Sequence, residues 1–139
     1  MSTNITFTMV KPTAVINGNS GEITDMILKA GFKIRAMKFL KLSTQNAEEF
    51  YAVHKERPFF SDLVNYMSSG PIFAIMLEKE NAVEDYRKFI GATDPSKADA
   101  GTIRSKFGVS LQQNAVHGSD SDANAEIECN FFFSTLERF

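Results

Sequence analysis

The chain has 139 residues, which suits a single domain over residues 1–139, and its 43% hydrophobic and 23% charged residues argue against extensive disorder. Fifteen Lys and Arg against 17 Asp and Glu leave a net charge of −2, so the chain lacks the basic surface of a general nucleic-acid binder. The only cysteine, Cys129, excludes an intrachain disulfide and a cysteine zinc cluster, and the longest apolar run, Ile72 to Leu77, is too short to span a membrane. With no signal peptide recognised at its start, we expect a cytoplasmic protein.

The first elements follow from simple periodicity. Apolar and polar residues alternate over residues 5–10, which predicts a strand that ends at Lys11-Pro12. A helix is predicted next, with Ser20 as its N-cap and Gly31 as a left-handed stop. A second strand covers residues 32–39, and a change of phase near Ala36 predicts a bulge there.

The middle of the chain is predicted to be mainly helical around one buried strand. A helix begins after Ser43 or Thr44 and is interrupted at Arg57-Pro58. Another helix covers residues 60–67, and the continuous apolar run over residues 72–78 indicates a buried strand. The helix after this strand begins at Asn81 and ends at Gly91.

The last third is less regular. Residues 92–100 are predicted to be loop and residues 102–107 a short helical turn. A fourth strand has only Ala115-Val116 to support it, and a last helix capped by Ser121 or Asp122 runs into the three phenylalanines at 131–133. The resulting order, β-α-β-α-α-β-α-β-α, is that of an α+β or α/β domain.

Two histidines could carry chemistry. His54 is predicted to lie within a helix, where a surface or partly buried histidine without a function is the more common case. His117 differs because it ends a strand, and because Gly118 lets the backbone turn sharply before a helix whose N–H groups could face an anion. From these residues alone, a histidine that merely closes a turn remains the alternative.

A second group of residues could bind a polyphosphate. Lys11, Arg87 and Arg104 would neutralise its charge, and the Thr93 hydroxyl would add a hydrogen bond. Spacing does not show that these side chains converge, and each is equally consistent with an ordinary surface residue. The glycine-rich phosphate loop and the dinucleotide-binding glycine pattern are both missing from the sequence.

Five sequence blocks resemble the signatures of the nucleoside diphosphate kinase family, in the family's order and over nearly the whole chain. They are Lys11-Pro12, Arg57 to Phe60, Met67 to Pro71, Gly101 to Arg104, and Asn114 to Ser121. The resemblance implies a ferredoxin-like α+β fold with a βαββαβ antiparallel sheet and surrounding helices. It also implies transfer of the γ-phosphate of a nucleoside triphosphate, typically ATP, to a nucleoside diphosphate by a ping-pong mechanism through phospho-His117.

The resemblance also assigns roles to individual residues. In the catalytic set, the nucleophile is His117, the residues that brace it are Ser119 and Glu128, and those near the transferred phosphate are Tyr51 and Lys11. In the nucleotide-binding set, the phosphate ligands are Lys11, Arg87, Thr93 and Arg104, the ribose contacts are Lys11 and Asn114, and the residues on either side of the base are Phe59 and Leu111.

Cofactor and assembly follow from the same resemblance. The sequence has no cluster of carboxylates spaced to hold a metal, so we expect Mg²⁺ to arrive on the phosphates of the nucleotide rather than in a protein site. Members of the family assemble from symmetric dimers. Because this chain ends at Phe139, earlier than many members, a tetramer is favoured over a hexamer.

The chain departs from the family pattern at Thr13, Ala100 and Cys129, none of them a matched site residue. Two other functions are open at this stage. One is a regulatory module that binds nucleotides without turnover, and the complete matched set argues against it. The other is a phosphohistidine carrier that passes phosphate to a protein, which would not need Phe59 or Asn114.

Overall fold

The computed structural model describes residues 4–139, so the first three residues of the segment searched for a signal peptide lie outside it. The strands in this range are β1 (Ile5–Val10), β2 (Lys33–Leu40), β3 (Ile72–Glu78) and β4 (Val116–Gly118). The helices are α1 (Pro12–Ile16), α2 (Ser20–Lys29), α3 (Thr44–Phe50), α4 (Phe60–Met67), α5 (Ala82–Ile90), α6 (Ile103–Phe107) and α7 (Asp122–Phe132). Short 3-10 turns cover Ala52–His54, Pro95–Lys97 and Thr135–Glu137.

The four strands form one antiparallel sheet in the order β2-β3-β1-β4. This order confirms the ferredoxin-like fold. β1 and β3 are central, and β4 pairs only with β1, so that His117 lies opposite Met9 at one edge of the sheet. The central position of β1 matters for the site because Lys11 follows directly after its last residue.

Helices cover both faces of the sheet, and each face has its own core. On one face, Phe7 and Met9 pack with side chains of α3, α4 and α7. On the other face, Val10 packs with side chains of α2 and with those of α5, which include Tyr86. The buried Thr8 and Tyr86 hydroxyls share a hydrogen bond of 2.7 Å, which satisfies both polar groups inside the second core.

Three local predictions were confirmed. The Ser43 side chain accepts a hydrogen bond from the backbone N–H of Asn46, and the Asn46 side chain accepts one from the Ser43 N–H, which forms a capping box at the start of α3. The register of β2 against β3 shifts between Ile34 and Ala36, where the bulge was expected. Gly31 has a φ of +97°, the left-handed conformation that the stop of α2 required.

Three local predictions were wrong or incomplete. The chain does not simply turn after Lys11, because Pro12 is the first residue of α1, a position that suits its fixed φ and missing N–H. Asn19 rather than Ser20 is the N-cap of α2. β4 begins at Val116 rather than Ala115, because Ala115 has a φ of +76° and lies outside the strand region.

Among residues 4–139, the helices are all too short or too polar to cross a lipid bilayer.

Candidate active site

One cavity of about 820 Å³ brings together nearly all the residues that the resemblance singled out. The volume is in the range of small-molecule sites. The matched residues that line it are Lys11, Tyr51, Phe59, Arg87, Thr93, Arg104, Leu111, Asn114, His117 and Glu128. Ser119 does not line the cavity and is fully buried behind it, in contact with Glu128. Residues far apart in sequence therefore meet at the edge of the sheet where β1 ends and β4 begins.

His117 is held by a short chain of hydrogen bonds. Its Nε2 lies 3.0 Å from Oε1 of Glu128, and the Ser119 hydroxyl donates to the same oxygen at 2.6 Å. A carboxylate accepts hydrogen bonds, so in this arrangement Nε2 carries the ring proton. The other ring nitrogen, Nδ1, is then left with a free lone pair.

The surroundings of the histidine ring are largely aromatic. The centroids of the Phe7 and Phe50 rings each lie 5.8 Å from that of His117. These rings pack further against Phe132 of α7, the helix that also carries Glu128. Packing therefore fixes the imidazole and its carboxylate partner from the same core.

The backbone before His117 has an uncommon conformation. Ala115 has a φ of +76°, and the Val116 N–H donates to the carbonyl of Asn114 at 2.9 Å, so the three residues form a γ-turn. A non-glycine residue in this region costs about 1–3 kcal/mol, and such strain is typical of functional sites. The turn aims Asn114 and His117 at the same cavity.

Lys11 is the most buried cation of the cavity, with 8% of its surface exposed. Its Nζ donates to Oδ1 of Asn114 at 2.8 Å, and Nδ2 of Asn114 donates to the Thr93 carbonyl at 3.0 Å. Burial, together with the nearby positive charge of Arg104, lowers the pKa of Lys11 to about 7. No carboxylate hydrogen-bonds to Lys11 among the described residues, so an incoming anion would stabilise its charged form.

Arg104 is fixed by two backbone carbonyls and not by an acidic side chain. It donates to Gly91 at 3.2 Å and to Val116 at 3.0 Å, and burial lowers its pKa to about 10. Gly91 has a φ of +95°, and a Cβ there would lie 2.6 Å from the Thr102 hydroxyl, so only glycine fits. Arg87 of α5 lies on the same side of the cavity with its side chain exposed.

Tyr51 places a hydroxyl in the cavity wall. The residue is 7% exposed, and its buried oxygen has no hydrogen-bond partner among the described residues. Burial, with a smaller effect of the Glu128 charge, raises the pKa of Tyr51, so the phenol stays protonated. The Tyr51 hydroxyl is therefore a buried donor that a bound phosphate oxygen could satisfy.

The far end of the cavity is apolar and open. Phe59 and Leu111 line the cavity and are 44% and 62% exposed, so this apolar part of its lining is open to solvent. His54 also lines this end, and its ring centroid lies 5.5 Å from that of Phe59. Sequence reasoning treated His54 as an ordinary helical histidine. The sequence offered one signal for placing His54 in the site, namely that it lies along the chain between Tyr51 and Phe59, two predicted site residues.

Metal ligands are not grouped in the described part of the chain. Between residues 4 and 139, no three or more His, Cys, Asp or Glu side chains are arranged to hold a metal ion. The carboxylates that line the cavity are Glu49, Asp120 and Glu128, and its cationic side chains are Lys11, Arg87 and Arg104. This donor set suits a ligand that brings negative charge of its own.

The cavity combines a histidine that has a free ring nitrogen, a group of cations and an open apolar end. This combination is typical of a nucleotide-dependent phosphotransferase. Comparisons with known proteins make the class specific. The family profile described as nucleoside diphosphate kinase matches residues 4–138. The chain belongs to the nucleoside diphosphate kinase family.

Individual relatives agree over the full chain. The chain is similar to the nucleoside diphosphate kinase of Flavobacterium psychrophilum, with 56% identity over 139 residues and 100% of both chains covered. It resembles the crystal structure of the Aquifex aeolicus enzyme with a TM-score of 0.96 and 43% identity, covering 98% of this chain and 99% of that one. The enzyme of Halobacterium salinarum, solved in complex with CDP, matches with a TM-score of 0.94 and 39% identity, covering 97% of this chain and 90% of that one.

The activity follows from the family. The protein is an enzyme that transfers the γ-phosphate of a nucleoside triphosphate to a nucleoside diphosphate. It does so by the ping-pong mechanism through a phosphohistidine that is general for the family.

Proposed function

We propose that Nδ1 of His117 is the atom that carries the phosphate. The observation that supports this assignment is the hydrogen bond between Nε2 of His117 and Glu128, at 3.0 Å. It occupies one ring nitrogen and leaves the lone pair of the other for attack. Ser119 holds the carboxylate from behind, so the bond survives when positive charge develops on the ring.

The transfer needs little more than positioning and charge neutralisation. The Nδ1 lone pair forms a bond to the γ-phosphorus while the bond from that phosphorus to the β,γ-bridging oxygen breaks, and the nucleoside diphosphate leaves with the electron pair. Lys11, Arg104 and the Tyr51 hydroxyl are suited to stabilise the charge on the phosphate oxygens. A second nucleoside diphosphate then removes the phosphate by the reverse of the same step.

Mg²⁺ is proposed as the cofactor and would arrive on the triphosphate. The cavity offers three cationic side chains, Lys11, Arg87 and Arg104, and only isolated carboxylates, so its donor set fits a metal already held by phosphate oxygens. When bound, Mg²⁺ would add positive charge beside the transferred group.

The nucleoside is proposed to lie between the cationic residues and the open end of the cavity. Phe59 and Leu111 would enclose the base, and Lys11 and Asn114 would bind the ribose, with Arg87 and Thr93 on the phosphates. The CDP bound to the related Halobacterium salinarum enzyme supports a nucleotide of this size. The open apolar end also argues against a carrier that passes phosphate only to proteins. Transfer of phosphate from ATP to GDP by the purified protein is the direct test, and its absence would leave the regulatory alternative.

Replacing Phe59 with alanine should weaken the use of every nucleotide to a similar extent. Stacking on an aromatic ring is worth about 1–3 kcal/mol for each base and depends little on which base it is, because every base has a π-face. We therefore expect kcat/KM to fall by about tenfold or more for ATP, GTP and CTP alike. Steady-state assays with each donor measure this fall. A loss confined to one base would contradict the assignment of Phe59, and Phe131, which is also part exposed but does not line the cavity, provides a control substitution.

Nucleotide binding is expected to take up a proton at Lys11. In the free protein its pKa is lowered to about 7, so above that pH the side chain is mainly neutral, and a bound phosphate would favour the charged form. At pH 8 the binding of ADP should take up close to one proton, and affinity should fall by about tenfold per unit as the pH rises further. Calorimetry in two buffers of different ionisation enthalpy measures the uptake. Lys11→Arg, which stays charged, should remove it, and an uptake near zero in the unsubstituted protein would contradict the prediction.

We also propose a cytoplasmic homo-oligomer built from symmetric dimers, with a tetramer favoured over a hexamer. β2 is an edge strand, and its Met37 and Phe39 side chains are 43% and 60% exposed, which supports pairing through this edge. Cys129 is a free, buried thiol, as expected in a reducing compartment. Light scattering at micromolar concentration tests the assembly, and a six-chain mass would refute the tetramer.

A further inference from the structure

Three polar side chains form a chain of hydrogen bonds just outside the proposed nucleotide site. The backbone N–H of Thr13 donates to the Tyr66 hydroxyl at 3.2 Å. The Tyr66 hydroxyl donates to Oγ1 of Thr13 at 3.0 Å, and that hydroxyl donates to Oε1 of Gln113 at 2.9 Å. None of the three lines the cavity, so the reaction described above does not use them.

Both hydroxyl protons are used within this chain of hydrogen bonds. Each hydroxyl has a single proton, and each uses it on the next group, so Tyr66 serves Thr13 and Thr13 serves Gln113. All three side chains are half-buried, which makes water an incomplete substitute for a lost partner. Removal of the central Thr13 hydroxyl would break both links at once.

The backbone of Gln113 makes the hydrogen bonds that close the loop around Leu111. Its carbonyl accepts hydrogen bonds from the N–H groups of Val109, at 2.8 Å, and Ser110, at 3.4 Å. Its own N–H donates to the Ser110 hydroxyl at 3.1 Å. The loop over residues 109–113 therefore has its internal bonds at Gln113, while Leu111 projects with 62% of its surface exposed.

Tyr66 lies behind the part of the cavity wall that contains Phe59. It lies in the last turn of α4, the helix whose N-cap is Phe59. The hydrogen-bond chain thus connects the helix that begins at Phe59, through the first turn of α1, to the loop that carries Leu111. Lys11 provides a second tether to this loop, since its Nζ donates to the Gln112 carbonyl at 3.4 Å, but that contact is longer and belongs to the phosphate end.

We propose that the chain Tyr66–Thr13–Gln113 is a positioning device that holds Leu111 opposite Phe59 and so determines how well the base of a nucleotide is bound. It acts without touching the nucleotide. The inference rests on the proposed placement of the base between Phe59 and Leu111. Its effect should therefore be confined to the base, whereas the phosphates and ribose are held by Lys11, Asn114 and the arginines.

The test compares two phosphate donors that differ only in the base. ATP has one, and ribose 5-triphosphate has the same sugar and phosphates without it. Phosphorylation of the enzyme by each donor, at concentrations from well below to well above saturation, is measured for the unsubstituted protein, Thr13→Val and Thr13→Ser. Thr13→Val keeps the side-chain shape and removes the hydroxyl, whereas Thr13→Ser keeps the hydroxyl.

We expect Thr13→Val to lower the efficiency with ATP by about tenfold, through KM rather than kcat, because two partly buried hydrogen bonds are lost. Ribose 5-triphosphate should be used as before, and Thr13→Ser should behave like the unsubstituted protein. In a Leu111→Ala background, Thr13→Val should have no further effect on ATP. Gln113→Leu removes the other end of the chain and should reproduce the result if Thr13→Val does not fold.

Other outcomes overturn specific statements. Equal losses with both donors would mean that Thr13 acts on Lys11 and the phosphate end, and the proposal would fail. An unchanged efficiency with ATP, or a serine variant as impaired as the valine variant, would refute it as well. If the unsubstituted protein itself used ATP and ribose 5-triphosphate equally well, the proposed base site would be wrong, independently of the hydrogen-bond chain.

Discussion

Replacing His117 with alanine is expected to abolish both phosphate transfer between nucleotides and the labelling of the protein by ATP. The substitution removes the proposed nucleophile, which lines the same cavity as the cations, so kcat should fall by at least about 10⁴-fold. The unsubstituted protein, incubated with ATP and no acceptor, should gain a phosphate that is stable in base and labile in acid. Mass spectrometry of the labelled protein measures this directly.

The second histidine of the chain provides an internal control for this experiment. His54 lines the same cavity, but its ring donates no hydrogen bond to a carboxylate of the described residues. Peptide mapping should therefore find the phosphate on the peptide that contains His117 and none on the one that contains His54. Initial rates should give parallel double-reciprocal plots, as a ping-pong reaction requires. Intersecting plots or substantial activity of His117→Ala would refute the assignment.

Removing the carboxylate of Glu128 should cause the second largest loss. Glu128 accepts hydrogen bonds from His117 and Ser119 at the same oxygen, so Glu128→Ala frees the imidazole and also removes the charge that stabilises it during attack. We expect kcat to fall by about 100-fold with little change in KM, since Glu128 acts through the histidine. Steady-state kinetics and the rate of phosphohistidine formation should show the same fall.

Two further variants separate geometry from charge. Glu128→Gln offers an amide oxygen in place of the carboxylate oxygen and can keep both hydrogen bonds, so its loss should be smaller, about tenfold in kcat. Glu126 lies on the same helix but is exposed and does not line the cavity, and Glu126→Ala should leave activity unchanged. A glutamine variant as impaired as the alanine variant would show that charge, not orientation, is the main contribution of Glu128. An alanine variant with normal kcat would refute the role altogether.

Local patterns predicted most of the elements because their physical causes are local. The alternation over residues 5–10 is the period of a strand, and Ser43 and Gly31 act within one turn of the helices that they begin or end. The errors also have local causes. Pro12 fits the first turn of a helix as well as it fits a break, and Asn19 and Ser20 are both good cap residues.

Some features of the candidate site could be predicted from the sequence and others could not. A specific run of residues around His117, together with the four other blocks, pointed to the family, and the structure brings the matched residues to one cavity except for Ser119 behind it. His54 escaped notice because no period or motif distinguishes a helical histidine on a surface from one in a cavity wall. The hydrogen-bond partners of Lys11 and Arg104 could not be read from spacing, because they are the Asn114 side chain and backbone carbonyls of distant segments.

By itself, the sequence determined the family, the order of the elements and the identity of the chemical groups, since these depend on residue types and on contacts within a few positions. Only the tertiary structure decided which nitrogen of His117 is free, because that depends on Glu128, 11 residues away on another element. It also decided the state of Lys11, whose pKa of about 7 results from burial and from Arg104. The link from Tyr66 through Thr13 to Gln113 spans 100 residues between its last two members, and this contact forms only when β1 and β4 pair in the sheet.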